Sequence, residues 1–241
     1  MRSTVGWDLN CDLGEGEPWT RTRALLRQVT SANVACGGHA GDALTMERVV
    51  VEAKALAVRL GAHPGVPGAF GRGEVTLSHQ QLQTLVLQQV GALDVLARRH
   101  GSRLHHIKLH GALYHAVEND NALGQAYVEA VARWFPKVTI YSRAGGRVLT
   151  RAHEAGVAAW AEGFIDRAYQ ADGQLVPRNQ DGALLTRTRE ITERLREWRQ
   201  TGGWKSLEGP WIAVPAQTLC LHGDTPGAVA LARTIRRAMD R

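Results

Sequence analysis

Short β-like runs alternate with amphipathic helical patterns from one end of this chain to the other, and that alternation leaves few folds open. The runs occupy residues 7–13, 32–36, 60–63, 104–110, 138–142, 158–162 and 217–222. Between them, Met46, Val49, Val50, Ala53, Leu56, Ala57 and Leu60 recur at helical spacing, as do Leu82, Leu85, Val86, Leu93, Leu96 and Ala97. Ser78 and Gln81, spaced as a capping box, precede the second set. A last helix is expected to open with Thr225 as its cap and Pro226 in its first turn, burying Ala228, Leu231, Ala232, Ile235 and Met239. Such a chain predicts an α/β fold: a seven-stranded, TIM-like (β/α) barrel first, an open doubly wound sheet second. No linker, repeat or low-complexity segment interrupts the pattern, so residues 1–241 are expected to form a single catalytic barrel domain. The stretch 201–211 is the one irregular excursion.

The strands carry an unusual polar face. In the first, Trp7, Leu9, Cys11 and Leu13 alternate with Asp8, Asn10 and Asp12. In the fourth, Ile107 and Leu109 alternate with His106, Lys108 and His110; in the last, Leu219 and Leu221 alternate with Thr218, Cys220 and His222. Helices outside a barrel need the apolar face, so the polar one must point inward. Burying that many ionisable groups costs several kcal/mol each unless they are paired or solvated. A polar site at the C-terminal ends of the strands is the economical explanation. The segments leaving those ends are rich in glycine and polar residues, among them 11–16, 36–42, 61–65, 108–114, 163–169 and 221–226.

Composition narrows the function classes. With 44% hydrophobic and 22% charged residues in 241, the chain reads as an ordinary globular protein, with no apolar run long enough for a membrane span. The net charge of +6 comes from basic residues spread over helix faces, where Glu190, Glu193 and Glu197 interleave with arginines. That pattern describes a solvated surface, so nucleic acid is not an expected partner. Three dispersed cysteines and an N-terminus without an apolar leader region point to the cytoplasm. Cys11 and Cys36 are read as small core residues, with Cys220 an outside candidate for the site.

The candidates for catalysis are Asp12, His39, His63, Lys108, His110 and His222. Those for substrate binding are Asn10, Glu15, Asp42, Arg72, Asp166, Arg167, Arg178 and Asp224. Asp42 could equally serve only to cap the helix that follows it. Asp12, His39, His63 and His222 could together supply a carboxylate-and-imidazole site for a divalent metal, although no compact metal-binding spacing is present. There is no Gly-x-x-x-x-Gly-Lys-Ser/Thr loop, so the chain offers no recognised ATP cradle of its own.

The motifs at residues 8–16, 31–42 and 61–65 resemble the LamB/YcsF family, and the likeness continues through 108–114, 164–169, 175–178 and 222–225, in order and over nearly the whole chain. The resemblance implies a barrel similar to glycoside hydrolase and deacetylase domains. It also implies the work of the family's 5-oxoprolinase components: ATP-dependent opening of 5-oxo-L-proline to L-glutamate, by the A subunit together with the B and C subunits. ATP would be handled with those partners, in keeping with the missing phosphate loop. The stretch 66–73 is shorter than the family pattern and lacks its second arginine; Leu109 and His115 also depart from it.

On that reading ATP activates the amide oxygen and this chain hydrolyses the phosphorylated lactam. Asp12 aligns water as general base, and His39, His63 or His222 protonates the departing ring nitrogen. Lys108 and Arg72 hold developing negative charge, and Arg178 takes the substrate carboxylate. Two other readings of the same residues are a metal-dependent amidase or deacetylase acting alone, and a non-catalytic lactam- or sugar-binding protein.

Overall fold

A computed structural model describes residues 7–68, 71 and 73–239. Seven parallel strands close into a barrel in the order β1 (Asp8–Leu13), β2 (Ser31–Ala35), β3 (Arg59–His63), β4 (Leu104–Ile107), β5 (Thr139–Arg143), β6 (Ala159–Phe164) and β9 (Thr218–Cys220). The last strand closes the sheet: Leu219 is in register with Gly163 of β6 and with Leu9 of β1. Eight helices complete the described chain: α1 (Trp19–Leu26), α2 (Ala43–Ala55), α3 (His79–Arg99), α4 (Gly111–Asn119), α5 (Asn121–Trp134), α6 (Arg147–Glu154), α7 (Thr188–Thr201) and α8 (Ala228–Met239). None of the described helices is long and apolar enough to cross a membrane.

The alternation read from the sequence is realised in the packing. Leu9, Cys11, Leu13, Ile107 and Leu219 are buried in the apolar layer with Val49, Val50, Val86, Val90 and Leu231 of the helices. Fully burying each such side chain is worth about 1.5–3 kcal/mol. The capping box at Ser78 and Gln81 forms as expected.

Two helix boundaries and one loop differ from the sequence-based expectation. The α2 helix stops at Ala55, because Ala57 takes a left-handed φ of 53° and Leu60 belongs to β3. The last helix starts at Ala228, with Leu231 N–H donating to Gly227 O, while the Thr225 hydroxyl donates to Asp166. The excursion at 201–211 holds an antiparallel hairpin, β7 (Gly203–Lys205) with β8 (Trp211–Ala213).

Strands β4 and β9 end before 110 and 222, yet the ladder runs on. Lys108 N–H donates to Ala62 O (3.0 Å), His110 N–H to Pro64 O (2.8 Å) and Leu221 N–H to Asn10 O (3.0 Å). Those bonds keep Lys108, His110 and His222 in the inward phase. Deep in the barrel, His106 fills space that a Cβ on Gly61 would occupy and stacks on Tyr141 (centroids 3.9 Å apart). This aromatic floor directs the remaining polar groups toward the open end.

Candidate functional site

The centre of the site is an ammonium held between carboxylates. Lys108 Nζ lies 3.0 Å from Asp12 Oδ1, 3.1 Å from Glu162 Oε1 and 3.0 Å from Cys220 Sγ. All four residues are buried. Burial would push the lysine's pKa down, but the adjacent carboxylates outweigh it and hold it well above the usual value. Burial likewise raises the Asp12 pKa, while His63 and Lys108 pull it well below the carboxylate range. At neutral pH, where His63 is uncharged, Lys108 carries that effect. For Glu162 burial wins, and its pKa rises despite Lys108.

Further donors orient the two carboxylates. Asn33 Nδ2 donates to Asp12 Oδ1 (2.7 Å) and takes its own orientation from His106 Nε2, which lies 2.6 Å from Asn33 Oδ1. Asn10 Nδ2 donates to Glu162 Oε1 (2.9 Å), and the Tyr114 hydroxyl to Glu162 Oε2 (3.0 Å). The carboxylates are therefore fixed in direction before any ligand arrives.

Beside this centre three imidazoles gather on one carboxylate. Glu15 Oε1 is 2.8 Å from His39 Nε2, 3.0 Å from His110 Nδ1 and 3.6 Å from His63 Nε2. The loop that carries Glu15 is clamped by Glu17, whose carboxylate accepts from the N–H groups of Gly14 and Glu15 (2.8 Å each). Gly14 there adopts φ 77°, open to glycine at little cost. His39 and His110 stack in parallel with centroids 3.6 Å apart, and His63 stands perpendicular to both. Burial lowers the His63 pKa to about 3, so this ring is neutral at physiological pH. Its Nδ1 faces the Lys108 carbonyl at 2.7 Å, which can only accept; His63 therefore carries its proton there and turns the Nε2 lone pair into the site.

A carboxylate–imidazole pair also borders the site. His222 Nδ1 lies 3.0 Å from Asp166 Oδ1, and Asp166 Oδ2 accepts from His222 N–H and the Thr225 hydroxyl. Burial raises the Asp166 pKa, but His222 and Thr225 outweigh it and the net shift is downward. Two guanidiniums complete the site. Arg178 makes a two-point contact with Asp224 (2.7 and 3.1 Å), and Arg167 donates to Val176 O (2.6 Å) while its buried Nε has no partner among the described residues. Burial and the nearby charge of Arg178 both lower the Arg167 pKa. These groups surround a cavity of about 580 Å³, whose apolar side is formed by Phe164, Val75, Leu175 and Val176.

The structure brings together Asn10, Asp12, Glu15, His39, His63, Lys108, His110, Asp166, Arg167, Arg178, His222 and Asp224. It does not bring Asp42, whose exposed carboxylate accepts from Thr45 N–H (2.7 Å) and caps α2. Arg72 lies outside the described residues. The metal set expected from sequence divides in two. His39 and His63 group with Glu15 and His110, whereas Asp12 and His222 group with Cys220. Sequence reasoning misses Glu162 and Tyr114. The alternation that exposes Asp12 would also expose Glu162, the inward residue of β6, whereas Tyr114 sits on α4 and no strand pattern marks it.

Known proteins resemble this chain over its whole described length. Residues 7–241 match the LamB/YcsF family. A Bordetella pertussis protein named as the A subunit of 5-oxoprolinase is 43% identical over 239 residues, covering 97% of this chain and 95% of its own. One of the same name from Pyrococcus furiosus is 40% identical over 238 residues, covering 97% and 93%. The crystal structure of a lactam utilization protein from Thermus thermophilus superposes with a TM-score of 0.91 at 36% identity, covering 98% of this chain and 96% of that one.

Proposed function

The chain belongs to the LamB/YcsF family, and on that footing we propose that it acts as the lactam-opening component of an ATP-dependent 5-oxoprolinase, converting 5-oxo-L-proline to L-glutamate. The observation that carries the proposal is the 43% identity to the A subunit of a 5-oxoprolinase along 95% of that protein's length, so the likeness extends over barrel and site together. The B and C subunits as partners, ATP use with them and a cytoplasmic location belong to the same proposal.

The geometry suits the chemistry. A lactam is a stabilised amide, so the carbonyl oxygen must be activated and the nitrogen protonated. Transfer of the ATP γ-phosphoryl group to that oxygen, on the partner subunits, gives ADP and a phosphorylated lactam. Water then adds to the carbon, the carbon–nitrogen bond breaks with protonation of nitrogen, and an acyl phosphate remains. A second water releases phosphate and leaves glutamate.

In this scheme Asp12, its direction fixed by Lys108 and Asn33, aligns the attacking water. His222, with its Nδ1–H committed to Asp166, presents Nε2 as the proton donor and acceptor. His63 is a poor donor because it is neutral. Lys108 balances charge on the adding oxygen, and Arg167, which lines the cavity beside Arg178, takes the substrate carboxylate. The Asp12–His222–Cys220 grouping also supports the rival metal-amidase reading, so the test must include ATP-free conditions.

The deciding experiment is glutamate release from 5-oxo-L-proline by this chain alone and with its partner subunits, each with and without ATP. Release only with partners and ATP is expected. Release by the chain alone without ATP would replace the proposal with a stand-alone amidase, and no release by the assembled complex would remove 5-oxo-L-proline as substrate.

A further inference from the structure

The four donor atoms of Glu15, His39, His63 and His110 lie within 4.8 Å of one another, and Glu15, His63 and His110 line the cavity. We propose that this cluster is a binding site for one borderline divalent transition-metal ion, with Zn²⁺ the best match, held by three imidazoles and one carboxylate. The inference does not depend on the lactam reading.

Spacing is the first argument. Ligand bonds of about 2.0–2.1 Å in a tetrahedral Zn²⁺ site place neighbouring donor atoms about 3.3 Å apart. Here Glu15 Oε1 lies 2.8, 3.0 and 3.6 Å from the donor nitrogens of His39, His110 and His63. His110 Nδ1 is 2.9 Å from His63 Nε2. Small side-chain adjustments therefore suffice to seat an ion.

The second argument is the direction of the lone pairs. The carbonyl of Lys108 fixes the proton of His63 on Nδ1, so its Nε2 points a lone pair into the cluster. That lone pair is met by His110 Nδ1 at 2.9 Å, with Asp12 Oδ2 and Glu15 Oε1 farther away at 3.5 and 3.6 Å. A cation in the cluster would take the His63 lone pair and the Glu15 carboxylate as ligands in place of the His110 Nδ1 contact that now serves both. The His63–Lys108 carbonyl bond is also the kind of outer contact that fixes a metal-bound imidazole in tautomer and orientation.

Ligand type then selects the ion. Three imidazoles and one carboxylate suit Zn²⁺, Co²⁺, Fe²⁺ or Ni²⁺, whereas Mg²⁺ and Ca²⁺ call for oxygen donors. The Glu15 side chain is 22% exposed, which gives the ion a way in from solvent. Close packing guards the other side: a Cβ on Gly65 would meet His39 Nδ1 at 2.5 Å, so the loop can approach the imidazoles only as glycine.

The test uses the full chain, stripped with a chelator and titrated separately with Zn²⁺ and Co²⁺. Readouts are bound metal per chain, the visible Co²⁺ spectrum and the thermal midpoint. One ion per chain, a d–d band in the visible and a metal-dependent rise in midpoint are expected. Glu15→Gln and His39→Gln should each weaken binding by about tenfold or more, since even outer-contact losses cost about 10–100-fold. His222→Gln, in the neighbouring group, should leave affinity unchanged. Failure of wild-type protein to take up stoichiometric metal would overturn the proposal and leave a hydrogen-bonded proton relay. Uptake indifferent to Glu15→Gln and His39→Gln, or lost with His222→Gln, would overturn it by locating the ion elsewhere. The wild-type titration decides the matter even if a variant does not fold.

Discussion

Lys108 Nζ and Asp12 Oδ1 sit 3.0 Å apart inside the barrel, joined from positions 96 residues apart in sequence, with both side chains less than a tenth exposed. A buried pair of this kind is weak evidence of stabilisation by itself, because desolvation offsets most of the Coulomb attraction. Its value is directional: with Glu162 on the other side, the ammonium holds two carboxylates in fixed orientation.

Lys108→Met removes the cation that touches both Asp12 and Glu162, leaving two carboxylates buried without compensation. Loss of one partner from a buried pair costs about 3–5 kcal/mol. The expected result is a large drop in urea midpoint together with loss of glutamate release from the assembled complex. A midpoint within error of wild type would contradict the ion-pair account.

Asp12→Asn keeps the shape and the Asn33 contact region but removes the base. Glutamate release should fall about 10²-fold or more, the usual cost of losing a general base. Near-normal turnover in the assembled complex would take Asp12 out of the chemistry.

Asp166→Asn frees His222 from its enforced tautomer. Turnover should fall by about 10²–10⁴-fold. Because the two residues act as a unit, Asp166→Asn combined with His222→Gln should be hardly slower than the slower single variant. Multiplicative losses would mean that they act separately.

Arg167→Met should raise KM for 5-oxo-L-proline by about tenfold or more while kcat changes less. A hydrogen bond to a charged group is worth about 1.5–3 kcal/mol, and Arg167 lines the cavity. A pure kcat effect would assign Arg167 to loop positioning through Val176 instead.

Stability should depend on pH through His106. Its ring is fully buried, and burial, aided by the charges of His105 and Lys108, pushes its pKa well below the usual imidazole value. The unfolded chain takes up a proton near the ordinary imidazole pKa of about 6.5 that the native ring refuses. The His106 contribution is therefore complete above that pH and falls by about 1.4 kcal/mol per pH unit below it, and His63, held at about 3, adds an equal slope in the same window. Asp166 acts in a lower window: its folded pKa is depressed, so its contribution holds above about pH 4 and is lost as the pH drops through the folded value. Urea unfolding between about pH 7.5 and about pH 5 measures the imidazole slope, and a flat profile there would exclude it.

By itself the sequence determined the order of strands and helices and which face of each strand turns inward. Both follow from local geometry, since successive Cβ atoms on a strand alternate sides and a helix repeats every 3.6 residues. Asp12, Lys108, His110 and His222 were legible for that reason. Only the tertiary structure decided which inward groups meet. Register and closure through β9 set Lys108 between Asp12 and Glu162 and committed Thr225 to Asp166 rather than to a helix cap. They also parted the histidines, placing His39, His63 and His110 on Glu15 and His222 on Asp166. Those partnerships join residues 24 to 96 positions apart, and no local periodicity encodes them. They arise because barrel closure forces buried charges to find partners across the interior, where leaving one unpaired costs more than any local preference can return.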